Sequence, residues 1–168
     1  SNFVAPEEVG FVRRWIDAVR SAPDERLRRA SILVRPHPAN AEQWEAADVG
    51  SRPGVALWSH RSTMNADQGL YDSLHHADAV VGLNTSAMIE AGILGKPVFT
   101  IAAEEFAGGQ QQTLHFHYLL ARNGGLVELA GTLDEHLRQL AGELADPGRR
   151  RDQSLRFVKD FVRPHGLD

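Results

Sequence analysis

Short apolar runs rich in β-branched residues alternate along this chain with stretches of helical periodicity, and that alternation constrains the fold most. Ser31-Ile32-Leu33-Val34 reads as a buried strand halted by Pro36 and Pro38. Val55-Ala56-Leu57-Trp58 follows the turn at Pro53-Gly54, and Ala79-Val80-Val81-Gly82-Leu83, Val98-Phe99-Thr100-Ile101 and Leu126-Val127-Glu128-Leu129 complete the set. Apolar strands separated by helices pair in parallel, with helices on both faces of the sheet. Right-handed crossovers then predict an α/β fold: a Rossmann-like, doubly wound parallel sheet of about five or six strands.

The intervening segments carry helix signals. Val9, Val12, Ile16 and Val19 recur at spacings of three and four between Glu7 and Ser21, with Pro6 suited to the first turn. A short helix is expected over 41–47, and another where Leu70, Leu74 and Ala77 share a face. The helix after Asn84-Thr85-Ser86 runs to Leu94, with Gly95 at its C-cap and Pro97 barring continuation. Thr113–Asn123 and Thr132–Ala145 read as helices, the second capped by Thr132. A last amphipathic helix over 149–162 carries Phe157, Val158, Phe161 and Val162 on one side. Residues 1–168 are thus expected to form one α/β domain.

Composition narrows the chemistry. The 168 residues include 18 basic and 22 acidic side chains, a formal net charge of −4, which argues against a general nucleic-acid binder. Of the basic residues only Lys96 and Lys159 are lysine. Cysteine is absent, which excludes disulfides, thiolate zinc sites and cysteine nucleophiles. No apolar run approaches the roughly 20 residues that span a bilayer, so the expectation is a cytoplasmic domain. Ser1-Asn2 in place of Met reads as a tag remnant, and the chain as a C-terminal piece of a longer two-domain protein.

In an open α/β sheet the ligand crevice lies beyond the carboxyl ends of the strands. Asn84-Thr85-Ser86 opens a helix there, where N–H groups without internal partners and the positive dipole end attract phosphate. The alternative is that Asn84 or Thr85 is only an N-cap. Glu90 lies four residues after Ser86, on the same helix face, and is the only charge between Asp78 and Lys96. A carboxylate in so apolar a helix is costly unless paired, and it is expected to accept the two hydroxyls of a ribose. The alternative is a helix-dipole contact, which typically gains about 0.3–1 kcal/mol.

After the first strand, His37 is held between two prolines and could donate to a phosphate or orient a leaving group. Arg35 could pair with phosphate bidentately. Gln110-Gln111-Gln112-Thr113 offers neutral hydrogen-bonding groups suited to a sugar or base, with Gln112 the named candidate, and His115 lies beside that loop. A plain solvated loop is the alternative. His115 and His117, two apart on a helix, do not share a face, so no metal site is expected. His75-His76 at a helix end needs only solvation and the dipole. Gly108-Gly109 is not followed by Gly-Lys-Ser/Thr, no G-x-G-x-x-G follows the first strand, and no G-x-S-x-G elbow occurs.

Val34-Arg35-Pro36-His37-Pro38, then the run from Ala77 through Asn84-Thr85-Ser86 to Glu90-Ala91, then Gly95-Lys96-Pro97-Val98, resembles the carboxy-terminal half of GT-B-fold glycosyltransferases. The resemblance is to the bacterial surface-polysaccharide branch: capsule and lipopolysaccharide transferases, bacterial sialyltransferases and CDP-glycerol glycerophosphotransferases. It covers about Ile32 to Ile101. It implies that His37 is the His-Pro histidine and the catalytic residue. Thr85 and Ser86 would be the hydroxyl pair at the donor phosphate, and Glu90 the helix acid on the ribose. It further implies a nucleotide-activated sugar of CMP, CDP or UDP type as donor substrate, no cofactor and no metal. It also implies a partner N-terminal GT-B domain carrying the general base, for which this chain has no counterpart. Through that full-length protein it implies peripheral association with the inner face of the cell membrane. Two rival readings are a UDP-N-acetylglucosamine 2-epimerase-like enzyme and a non-catalytic doubly wound domain that binds a partner protein.

Overall fold

A computed structural model describes residues 7–37, 41–58, 66–83, 85–106, 110 and 114–165. The chain forms an α/β structure with parallel strands, in two compact units, residues 1–71 and 72–168. Among the described residues five parallel strands pair as two sheets, one of two strands and one of three, where the sequence suggests one sheet of five or six. Strand runs are legible from composition, but which strands pair is decided by long-range packing that no local pattern records.

In the first unit, α1 (Glu8–Arg20) buries Val9, Ile16 and Val19, the stripe its periodicity predicts. A short α2 (Glu25–Arg29), capped by the Asp24 carboxylate accepting from the Leu27 amide, was not anticipated from the sequence. Strand β1 (Ile32–Val34) pairs in parallel with β2 (Val55–Leu57), placing Ile32 opposite Val55 and Val34 opposite Leu57. Between them lie α3 (Ala41–Ala46) and a 3-10 turn, Val49–Ser51. Trp44 and Val49 join Val9, Ile16, Val34 and Val55 in one buried cluster. Arg20 fastens this unit by donating to the carbonyls of Arg28, Pro53 and Gly54 at 2.9, 3.2 and 3.1 Å. Leu33, by contrast, is 46% exposed.

Helix α4 (Ala66–His76) follows, then β3 (Val80–Val81), only two residues long where the sequence suggests five. Helix α5 (Ala87–Ile93) leads to β4 (Val98–Ile101), and β5 (Val127–Ala130) completes the order β3-β4-β5, parallel throughout. All four residues of β4 are buried, as a central parallel strand covered on both faces requires. Gly95 ends α5 as expected, at φ +70°, with the Lys96 amide reaching back to the Ala91 carbonyl at 2.9 Å.

The helix expected over 113–123 is broken into α6 (Leu114–Leu119) and a 3-10 turn, Ala121–Asn123. The break admits a close approach: a Cβ on Gly125 would lie 2.1 Å from the Leu119 carbonyl oxygen. Helix α7 (Leu133–Ala145) packs against β4 and β5. Its Thr132 cap accepts from the Glu135 amide at 3.2 Å, while the Glu135 carboxylate takes the Gly131 amide at 2.8 Å. Helix α8 (Arg151–Phe157) packs on α5 and continues as a π-helical turn, Val158–Val162. Phe157 is buried, whereas Phe161 stacks on it at 5.2 Å and stays 57% exposed. Among the described residues no helix is long and apolar enough to cross a membrane.

Candidate functional site

The predicted residues divide between the units. Thr85, Ser86, Glu90 and His115 lie in the second, Arg35 and His37 in the first. Asn84 and Gln112 lie outside the described residues.

At the carboxyl end of β3, the Gly82 amide donates to the Phe99 carbonyl at 3.0 Å, and the chain then leaves the sheet. A Cβ on Gly82 would sit 2.8 Å from Met88 Cγ, so glycine lets the fully buried Met88 close beneath the turn. Thr85 and Ser86 are both exposed. The Met88 amide donates to the Thr85 carbonyl at 3.1 Å, and the Ile89 and Glu90 amides donate to the Ser86 carbonyl at 2.9 and 3.2 Å. Ser86 holds the N-cap position with helical backbone, φ −58° and ψ −30°, and its side chain makes no capping bond. Its hydroxyl is therefore not consumed by the helix it opens.

Glu90 is exposed, which corrects the expectation of a carboxylate enclosed in an apolar helix. The buried positions of α5 are Met88, Ala91 and Gly92, spaced three and four apart, and Glu90 falls off that stripe. No burial cost needs offsetting there. What survives is position: Ser86 and Glu90 are exposed one turn apart. The arrangement offers hydroxyl donors at a helix start and a carboxylate acceptor one turn beyond them.

Beside this turn the end of β4 is tied by Gln110, which is 1% exposed. Its Nε2 donates toward the Leu83 carbonyl at 2.8 Å, the Ile101 carbonyl at 3.0 Å and Thr100 Oγ1 at 3.3 Å. The sequence reading grouped Gln110 with loop donors for a sugar or base. Instead its amide nitrogen bonds within the fold. His115 is exposed at the start of α6, and the buried Phe116 separates it from His117.

In the first unit His37 is exposed just past β1, after the buried Pro36. Arg35, expected to pair with phosphate, has an internal role. Its Nη1 donates to the Gly69 carbonyl at 2.9 Å, and its guanidinium lies 4.2 Å from the centre of the Trp58 ring. A Cβ at Gly69 would fall 2.5 Å from Trp58 Cζ2, so the indole is seated directly on the α4 backbone.

The amino end of the three-stranded sheet holds a charged cluster that the sequence reading missed. Glu143, 2% exposed, accepts from the Gly148 amide at 2.9 Å and lies 3.5 Å from Arg149 and 3.8 Å from Arg150. Arg150 also pairs with Glu128 and sits 5.5 Å over the Phe99 ring. His136 is fully buried edge-on to Phe99 at 6.3 Å, and burial pushes its pKa down to about 4. One signal was available: Glu143 stands three residues after Leu140, on the stripe that α7 buries.

No protein-family model, curated protein or solved structure matches this chain. Function is therefore argued from the residues themselves. Among the described residues no three His, Asp or Glu side chains converge as a metal would require. A cavity of about 540 Å³ lined by Ala121, Gly124, Gln153, Arg156 and Asp160 opens near the start of β5. It shares no lining residue with the Ser86–Glu90 surface.

Proposed function

We propose that this chain is the donor-nucleotide-binding half of a metal-independent glycosyltransferase of GT-B architecture, acting in cell-surface polysaccharide synthesis, its parallel strands part of a doubly wound layer. The observation that carries the reading is the exposed pair Ser86 and Glu90, one turn apart past β3, with the Ser86 hydroxyl unused as a cap. Thr85 and Ser86 receive the donor phosphate together with amides at the helix start. Glu90 accepts both hydroxyls of the ribose, and its exposure makes it available for that bond. His37, exposed just past β1 in the first unit, is the His-Pro histidine that the resemblance implies. Arg35 braces Trp58 in this scheme and is not assigned to phosphate.

Calorimetric titration of the chain with CMP, CDP and UDP tests the proposal. Binding by one of them is expected, weakened at least tenfold (about 1.4 kcal/mol) by Glu90→Ala while the unfolding midpoint stays in place. Silence at millimolar nucleotide would defeat it. A second reading, a partner-binding module, is favoured by Leu114 and Tyr118, both exposed one turn apart on α6. Nucleotide silence together with a Glu90→Ala variant unchanged in every respect would favour that module.

A further inference from the structure

The chain leaving β3 is held at Gly82 and Leu83 from two directions. Met88 closes beneath Gly82. From the side, Gln110 bridges the chain segments leaving β3 and β4, past the rung between Gly82 and Phe99. Two features make this bridge specific to an amide. The Nε2 group has two hydrogens, and the Leu83 and Ile101 carbonyls, at 2.8 and 3.0 Å, are pure acceptors. Thr100 Oγ1, 3.3 Å from Nε2, lies 3.5 Å from the Leu83 carbonyl, so both polar side chains converge on the residue two places before Thr85. A carboxylate at position 110 would set an anionic oxygen against two carbonyl oxygens, and an apolar side chain would release both segments.

We propose that Gln110 is a positioning residue for nucleotide binding: its amide holds the Leu83 carbonyl, and so sets where the Thr85–Ser86 turn presents its donors and where Glu90 follows. This rests on the nucleotide-binding reading above and adds to it a residue that does not touch the ligand. The nearest contact to the ligand is made by residues that Gln110 orients, and small displacements of such groups lower affinity steeply.

The test uses wild type, Gln110→Leu and Gln110→Glu, with CMP, CDP and UDP titrated calorimetrically between pH 5 and pH 8, and amide hydrogen exchange followed on the same proteins. The Leu variant is expected to bind the preferred nucleotide about tenfold more weakly at every pH, with faster exchange confined to residues 82–88. The Glu variant is expected to be as weak at pH 8, where it is a carboxylate. Burial against two carbonyl oxygens disfavours its ionised form, so it should recover in part at pH 5, where the protonated acid supplies one donor. A structural role alone would speed exchange throughout residues 72–165 and would overturn the proposal. If wild type binds and both variants bind equally well at all pH values, the positioning role is lost while the nucleotide reading stands. If wild type binds none of the three, both fall together. Should the Leu variant fail to fold, the Glu variant decides alone: affinity equal to wild type at pH 8 overturns the proposal.

Discussion

The two ends of the β3-β4-β5 sheet are built on opposite principles. At the amino end, charges are drawn inward: Glu143 is buried, Arg150 spans it and Glu128, and Arg149 closes the group against the Gly142–Gly148 turn. At the carboxyl end the buried group is a neutral amide, Gln110, while Thr85, Ser86 and Glu90 stay in solvent. Buried charges are rigid and costly to disturb, because removing one strands its partner in low dielectric. Exposed hydroxyls over a neutral brace can exchange water for a ligand at small cost. The contrast teaches that the polar residues most important to stability and those most available for function occupy opposite poles of one sheet.

That contrast breaks first if Arg150→Ala proves mild. Its loss leaves Glu128 without its guanidinium partner and Glu143 with only Arg149 and the Gly148 amide, and urea unfolding should show destabilisation of about 2–3 kcal/mol. His136, buried edge-on to Phe99, is a second buried titratable group of this sheet. Its folded pKa of about 4 lies below the ordinary 6.5, so on acidification the unfolded chain takes up the proton first. Its contribution is complete above about pH 6.5 and is lost as pH falls toward 4, by up to about 3 kcal/mol. Urea titrations across that window should show the slope in wild type and a flatter one in His136→Leu.

Two hydroxyls at the carboxyl pole, one a cap and one not, give the smaller effects. Thr132→Ala removes a hydroxyl that accepts the Glu135 amide and should cost about 1 kcal/mol in thermal or urea unfolding. Ser86→Ala removes a hydroxyl that caps nothing and should change stability by less than about 0.5 kcal/mol. If Ser86→Ala instead costs as much as Thr132→Ala, the hydroxyl serves the fold and its assignment to a ligand weakens.

Much of this architecture was readable in advance because its signals are local. The α1 stripe, the Thr132 cap, the Gly95 stop and the limits of β4 each follow from residues within one turn or one strand. Strand pairing was not readable, since Ile32 meets Val55 and Val98 meets Val127 across long separations that composition does not encode. The break after α6 was hidden too, because the steric reason, Gly125 pressed on the Leu119 carbonyl, belongs to the folded chain. At the site, the Ser86–Glu90 spacing was legible as helix geometry. The burial of Glu90 was misjudged by treating a short helix as enclosed all round, when it buries one stripe. That Arg35 meets the Gly69 carbonyl and Gln110 the Leu83 carbonyl is not legible in the sequence, which cannot show which backbone carbonyls a side chain will meet.

The reach of the amino-end contacts has a consequence for biosynthesis. Gln110 meets its partners within 27 residues, all already made when it emerges. Glu128, however, must wait 22 residues for Arg150, and the Lys96 carbonyl waits 58 for Ser154. During vectorial translation the carboxyl-end contacts of Gln110 can therefore form before the amino-end charges are paired. A nascent chain that has reached only residue 146 lacks Arg149 and Arg150, so Glu143 and Glu128 are then without those cations.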